Sequence, residues 1–135
     1  MNKTLNLLGL ARRGGNIALG EEPVAEACKL KKAVVVFIAA DAGETTARRG
    51  HAMAEDAGVP CGVLPCTKAE LGFAVGRATC ALAAVTDRGL AQGAARRLAE
   101  TDPQFQPLAE ALAQRKERRN QNTKRNADRK TSADR

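Results

Sequence analysis

The chain has 135 residues, with 22 Lys and Arg against 15 Asp and Glu and a formal net charge of +7. That length accommodates one domain and a short extension. With three Phe, no Trp or Tyr and 27 Ala, its 44% hydrophobic content must pack as small side chains, which argues against a wide aromatic-lined ligand pocket.

In chain order, Leu5, Leu7, Leu8 and Leu10 predict a short amphipathic helix that Gly14-Gly15 breaks, leading to an extended segment from Asn16 to Leu19. A second helix is predicted to about Lys31. Gly20 sits at its cap, Glu21 and Glu22 place carboxylates among first-turn amides, and Pro23 loses nothing there because those amides have no intrahelical acceptor. The uncharged, β-branched run Ala33 to Ala40 reads as a central strand covered on both faces, and Asp41-Ala42-Gly43 turns the chain. A helix from Glu44 to Ala57 stops at Gly58 with Pro60 beyond it, before a strand Cys61 to Leu64. Thr67 and Glu70 are spaced as a capping box for a helix that Gly76 closes. A strand from Cys80 to Val85 and a helix from Arg88 to Ala99 follow, and Pro107 starts one more helix with Phe105, Leu108 and Leu112 on its apolar side. Strands alternating with helices predict a three-layer α/β/α sandwich over residues 1–101. Residues 102–135 are expected to add that short helix and a tail.

The tail is the most basic part of the chain. Residues 101–135 hold 9 basic and 5 acidic side chains, whereas residues 1–100 hold 13 and 10. From Arg115 to Asn126 there is no hydrophobic residue, so burial has nothing to set against ordering entropy, and the segment is predicted to be mobile when free. Arg115, Lys116, Arg118, Arg119, Lys124 and Arg125 are candidate phosphate contacts, since clustered cations gain affinity for a polyanion by releasing its counterions.

Several chemistries find no support. No apolar stretch approaches the length of a membrane span, and Asn6 and Gly9 interrupt the short run near the start, so a cytoplasmic protein with no membrane partner is expected. Cys28, Cys61, Cys66 and Cys80 form no Cys-x-x-Cys pair and read as reduced, mostly buried thiols without metal. The sole histidine, His51, lies mid-helix with no nucleophile motif beside it, and Asp41 and Glu44 read as turn and capping residues. No phosphate-binding loop motif and no dinucleotide fingerprint occur. The expectation is a protein without catalysis, cofactor or small-molecule substrate.

What remains is a set of loops and helix starts expected at one edge: Arg12-Arg13-Gly14-Gly15, Gly20-Glu21-Glu22, Asp41-Ala42 and Gly76-Arg77-Ala78-Thr79. Glycines admit close backbone approach, a helix start offers amides, and arginines supply charge and stacking surface. Leu8-Gly9-Leu10-Ala11-Arg12-Arg13, Gly20-Glu21-Glu22, Ile38-Ala39-Ala40-Asp41-Ala42, Val59-Pro60, Leu71-Gly72-Phe73-Ala74-Val75-Gly76 and Val85-Thr86-Asp87-Arg88-Gly89 together resemble the superfamily of kink-turn RNA-binding ribosomal proteins, of the archaeal L-seven-Ae type, in its bacterial YlxQ-like branch. The resemblance runs from about Thr4 to Leu98. It implies a sandwich with a four-stranded mixed sheet that binds structured RNA, ribosomal RNA among the candidates, in a ribosomal or translational setting. It implies contacts by the helix start at Gly20, Glu21 and Glu22 and by the loop Arg77, Ala78 and Thr79, to which Arg12 and Arg13 are added for their charge and stacking surface.

The chain departs from the pattern where such proteins carry Gly-x-Asn-Glu-x-x-Lys: Glu22 replaces the Asn, Pro23 the Glu and Glu26 the Lys, and Asn16 stands where a Lys is familiar. Exchanging donors for carboxylates beside phosphate loses about 1.5–3 kcal/mol per charge-assisted contact, which works against kink-turn specificity. A protein-interaction adaptor for a translation or RNA-processing factor is the alternative expectation.

Overall fold

A computed structural model describes residues 2–114. The elements follow in the order α1 (Asn2–Arg13), β1 (Ile17–Leu19), α2 (Glu21–Lys29), β2 (Val35–Ala39), α3 (Glu44–Ala57), β3 (Cys61–Leu64), α4 (Lys68–Ala74), β4 (Leu82–Val85) and α5 (Arg88–Thr101). A 3-10 turn at Pro103–Phe105 leads into a helix over 106–114. Among the described residues no helix is long and apolar enough to cross a membrane.

The sheet order is β1-β4-β2-β3, with β4 antiparallel to both its neighbours and β2 parallel to β3. β2 and β4 are buried along their whole length, as expected of central strands whose runs lack polar residues. Strand alternation divides their side chains between two cores. Val35, Phe37 and Ala39 pack with Leu8 of α1, Leu71 of α4 and Ala91, Ala94 and Ala95 of α5. Val36 and Ile38 pack instead with Val24 and Cys28 of α2 and Ala54 of α3. Leu108, Ala109 and Leu112 of the last helix join the first core, under β3. The result is the three-layer sandwich and four-stranded mixed sheet expected from the sequence, its alanines letting the helices lie close to the sheet.

Local signals account for most boundaries. Glu70 N donates to Thr67 Oγ1 at 3.1 Å and Thr67 N to Glu70 Oε1 at 3.0 Å, completing the capping box of α4. Gly58 closes α3 in the left-handed conformation, φ 69°. Some boundaries differ from expectation, and backbone geometry accounts for three of them. α2 stops at Lys29 rather than Lys31, because Lys31 takes φ 61° and Lys32 N turns back to Ala27 O at 2.9 Å. Ala33 N also donates to Ala27 O, so β2 begins only at Val35. β4 opens at Leu82 rather than Cys80, since Cys80 N is committed to Lys68 O at 3.0 Å.

Candidate nucleic-acid interface

Because β1, β2 and β3 point one way and β4 the other, the segments leaving the first three strands and the segment entering β4 meet at one end of the sheet. Backbone bonds fix that end. Gly20 N donates to Leu82 O at 3.0 Å, Ala39 N to Ala81 O at 2.9 Å and Ala40 N to Cys66 O at 2.9 Å. Lys68 N donates to Asp41 Oδ1 at 2.6 Å, so Asp41 caps the neighbouring helix α4 rather than only turning its own loop.

Gly20 is the N-cap of α2 with φ 93°, a conformation that favours glycine, and no side chain caps the helix. The first-turn amides have no intrahelical acceptor, and the first turn itself carries two acidic side chains, Glu21 and Glu22. Glu22 is exposed, whereas Glu21 accepts from Arg49 Nη1 of α3 at 2.7 Å. That pair draws one carboxylate away from the helix start and brings a cation to it.

The segment Arg77-Ala78-Thr79 is exposed yet held in place. Arg77 N donates to Gly72 O at 2.7 Å, and a Cβ on Gly72 would lie 2.8 Å from Thr79 Cα and 2.9 Å from Arg77 O. Gly72 is therefore the contact that lets the segment lie against α4. Beside it, Arg12, Gly15, Ile17, Pro23 and Arg77 line a hollow of about 270 Å³ along the unpaired edge of β1. Arg77 also stands close enough to the buried Cys80 to oppose the rise that burial imposes on that thiol.

The structure thus brings together Arg12, Arg77, Ala78, Thr79 and the Gly20–Glu22 helix start. Arg13, expected on the same edge, is not with them. It donates weakly to Gly9 O at 3.5 Å and lines a separate groove between α1 and α4. The reason is helical: adjacent residues are about 100° apart around the axis, so Arg12 and Arg13 cannot enter one hollow. Candidate tail contacts Arg115, Lys116, Arg118, Arg119, Lys124 and Arg125 lie outside the described residues.

Two residues were not among the sequence candidates, Arg49 beside the α2 start and Phe73 in the separate groove between α1 and α4. Arg49 is brought to Glu21 by tertiary packing across 28 positions, and nothing local announces it. Phe73 is 88% exposed on α4. It did carry a signal, since Leu71 and Val75 form the inner face and a residue two positions from each must point away from it.

The remaining chemistry-bearing groups are quiet. Cys28, Cys66 and Cys80 are buried free thiols and Cys61 is half-buried. Burial pushes all four up, Cys61 and Cys66 to about 11, which disfavours the thiolate form of each at neutral pH. His51 is exposed on α3, and no group of three His, Cys, Asp or Glu among the described residues could hold a metal.

Comparison with known proteins agrees with this architecture. Residues 2–94 match the "Ribosomal protein L7Ae/L30e/S12e/Gadd45 family". An RNA-binding protein YlxQ of Enterococcus faecium is 39% identical over 59 residues, which are 44% of this chain and 57% of that protein. The match thus spans little more than half of that relative's length. A structure from Bacillus halodurans described as a protein with unknown function superposes with TM-score 0.64 at 30% identity, covering 70% of this chain and 94% of that one. The 15.5kD RNA binding protein of Giardia lamblia superposes with TM-score 0.57 at 26% identity, covering 80% and 85% of the two chains. With matched residues running through every strand of the sheet and the first half of α5, the chain belongs to the ribosomal protein L7Ae/L30e/S12e/Gadd45 family.

Proposed function

We propose that this protein binds structured RNA without catalysis, through the end of the sheet where the α2 start, the Arg77–Thr79 segment and Arg12 converge. The observation that carries the reading is the hollow that Arg12 and Arg77 share with Pro23 along the open edge of β1. Two arginines lining one hollow at a strand edge suit a phosphate backbone, and the short side chains of Ala78 and Thr79 admit a base edge. The names of the YlxQ relative and the Giardia protein support the same reading. The domain supplies shape recognition and the basic C-terminal residues supply phosphate affinity, in a cytoplasmic, ribosomal or translational setting.

Kink-turn selectivity is weak in this reading. Glu22, Pro23 and Glu26 leave the α2 start with carboxylates where donors are needed, and Arg49 offsets only Glu21. The test is a titration of the full chain against a kink-turn stem, a base-swapped control and a plain hairpin across a salt series. Comparable binding of the first two, both better than the hairpin, with affinity falling steeply as salt rises, is the expected pattern. A strong preference for the kink-turn over its control would refute the weakened-specificity reading.

A second reading has its own observation. Pro60, Val63, Pro65, Phe105 and Leu108 line an apolar hollow of about 660 Å³ beside edge strand β3, suited to an adaptor for a translation or RNA-processing factor. That reading predicts a protein partner that survives nuclease and high salt, and no selective RNA binding.

A further inference from the structure

We propose that the groove between α1 and α4 receives an unpaired base of the bound RNA, stacked on the ring of Phe73. The proposal rests on the RNA-binding reading above and adds a subsite to it. The chain has three phenylalanines, of which Phe37 and Phe105 are buried at 0% and 6% exposure while Phe73 stands out at 88%. A single exposed apolar side chain is ordinary by itself. This one lines a groove of about 320 Å³ together with Asn2, Leu5, Asn6, Gly9, Arg13, Glu70 and Ala74.

The groove exists because α1 and α4 touch at Gly9, where a Cβ would lie 2.9 Å from Ala74 O. Around the floor made by this contact, the donor set fits a nucleobase. The ring offers a face for stacking, Asn2 and Asn6 each offer an amide donor and acceptor to a base edge, and Arg13 offers a guanidinium to the adjoining phosphate. Glu70, the one carboxylate in the lining, has Oε1 engaged in the α4 cap, accepting from Thr67 N at 3.0 Å. The apolar lining is Phe73 with Leu5 and Ala74, enough for one ring but short of what a lipid chain needs, and amides and charges surround it.

The groove also adjoins the proposed interface. Arg12 and Arg13 are consecutive on α1, one lining the β1 hollow and the other this groove. An RNA strand seated between Arg12 and Arg77 therefore reaches the Phe73 ring by crossing the end of α1 at Arg12 and Arg13.

The lack of tryptophan and tyrosine makes the test clean. Phe73→Trp gives the full chain one tryptophan, whose emission a stacked base quenches. It is titrated with a hairpin carrying one extruded nucleotide and with the same hairpin fully paired. The expected result is quenching by the first RNA alone, with Phe73→Ala and Phe73→Leu both losing on the order of ten-fold in affinity for it. Thermal unfolding checks that the exposed substitutions leave the fold intact. If Phe73→Ala or Phe73→Leu binds like the unaltered chain while Arg77→Ala binds worse, the subsite is refuted and RNA binding stands. Failure of the unaltered chain to bind either RNA overturns both.

Discussion

Replacing Gly72 with alanine tests how the Arg77–Thr79 segment is held. A methyl group there would sit 2.8 Å from Thr79 Cα, 2.9 Å from Arg77 O and 2.9 Å from Thr79 N. All three are backbone atoms, which cannot rotate away, so the segment must move as a unit. Forcing an extra carbon into a packed site costs about 1–3 kcal/mol, and the gain from removing a helical glycine returns about 0.5–1 kcal/mol. The net is a loss of roughly 1–2 kcal/mol, or roughly 5–10 °C in the unfolding midpoint of a domain of this size. Gly93→Ala on α5 is the matched control, because its Cβ would meet only Leu7 Cδ1 at an ordinary 3.6 Å and should stabilise by a fraction of 1 kcal/mol. Thermal unfolding by circular dichroism, with RNA titration of both variants, reads the outcome. Gly72→Ala should lose stability and RNA affinity together while Gly93→Ala loses neither; a Gly72→Ala protein as stable and as RNA-competent as the unaltered chain would refute the clamping argument.

Arg12→Gln and Arg77→Gln should each reduce the slope of log affinity against log salt by about 0.7–0.9, as expected when one phosphate contact is removed; unchanged slopes would place the RNA elsewhere. Arg49→Ala breaks an exposed pair, so unfolding should change by less than about 1 kcal/mol. The same substitution releases the Glu21 carboxylate at the α2 start, so RNA binding should weaken and Glu21→Gln should restore it. Phe37→Ala removes the largest fully buried side chain and should cost about 3–5 kcal/mol in denaturant unfolding. Cys61 and Cys66 are raised from 9.0 to about 11 in the folded chain, so the unfolded thiols ionise first. Stability should hold below pH 9 and fall between pH 9 and 11, and a Cys61→Ala, Cys66→Ala double variant should flatten that fall in a denaturant series.

What the sequence disclosed was governed by local physics. The capping box at Thr67 and Glu70, the left-handed Gly58 and the glycine start of α2 are short-range devices whose residues can be recognised without neighbours. Burial of β2 on both faces followed from an uncharged β-branched run. Lys31 shows the limit: left-handed backbone at a lysine is not announced by its side chain, so α2 read two residues too long. Asp41 read as a turn residue because its partner, Lys68 N, lies 27 positions away. Arg12 and Arg13 were grouped by adjacency, although helical rotation separates adjacent residues. The Arg49–Glu21 pair depends on how α3 settles beside α2, which no local pattern encodes. Phe73 was legible in principle from the inner-face residues of its own helix, once the helix is granted.

The most direct test of the RNA interface is a titration of the isotopically labelled full chain with a structured RNA hairpin, following backbone amide resonances by NMR. The account predicts that the amides of Gly20, Glu21, Glu22, Arg77, Ala78 and Thr79 and those flanking Arg12 shift together and saturably, while Val63 on the far edge and Leu108 beneath it stay in place. Shifts confined to residues 115–135, or centred on the β3 edge with the Gly20 and Arg77 segments unmoved, would contradict it.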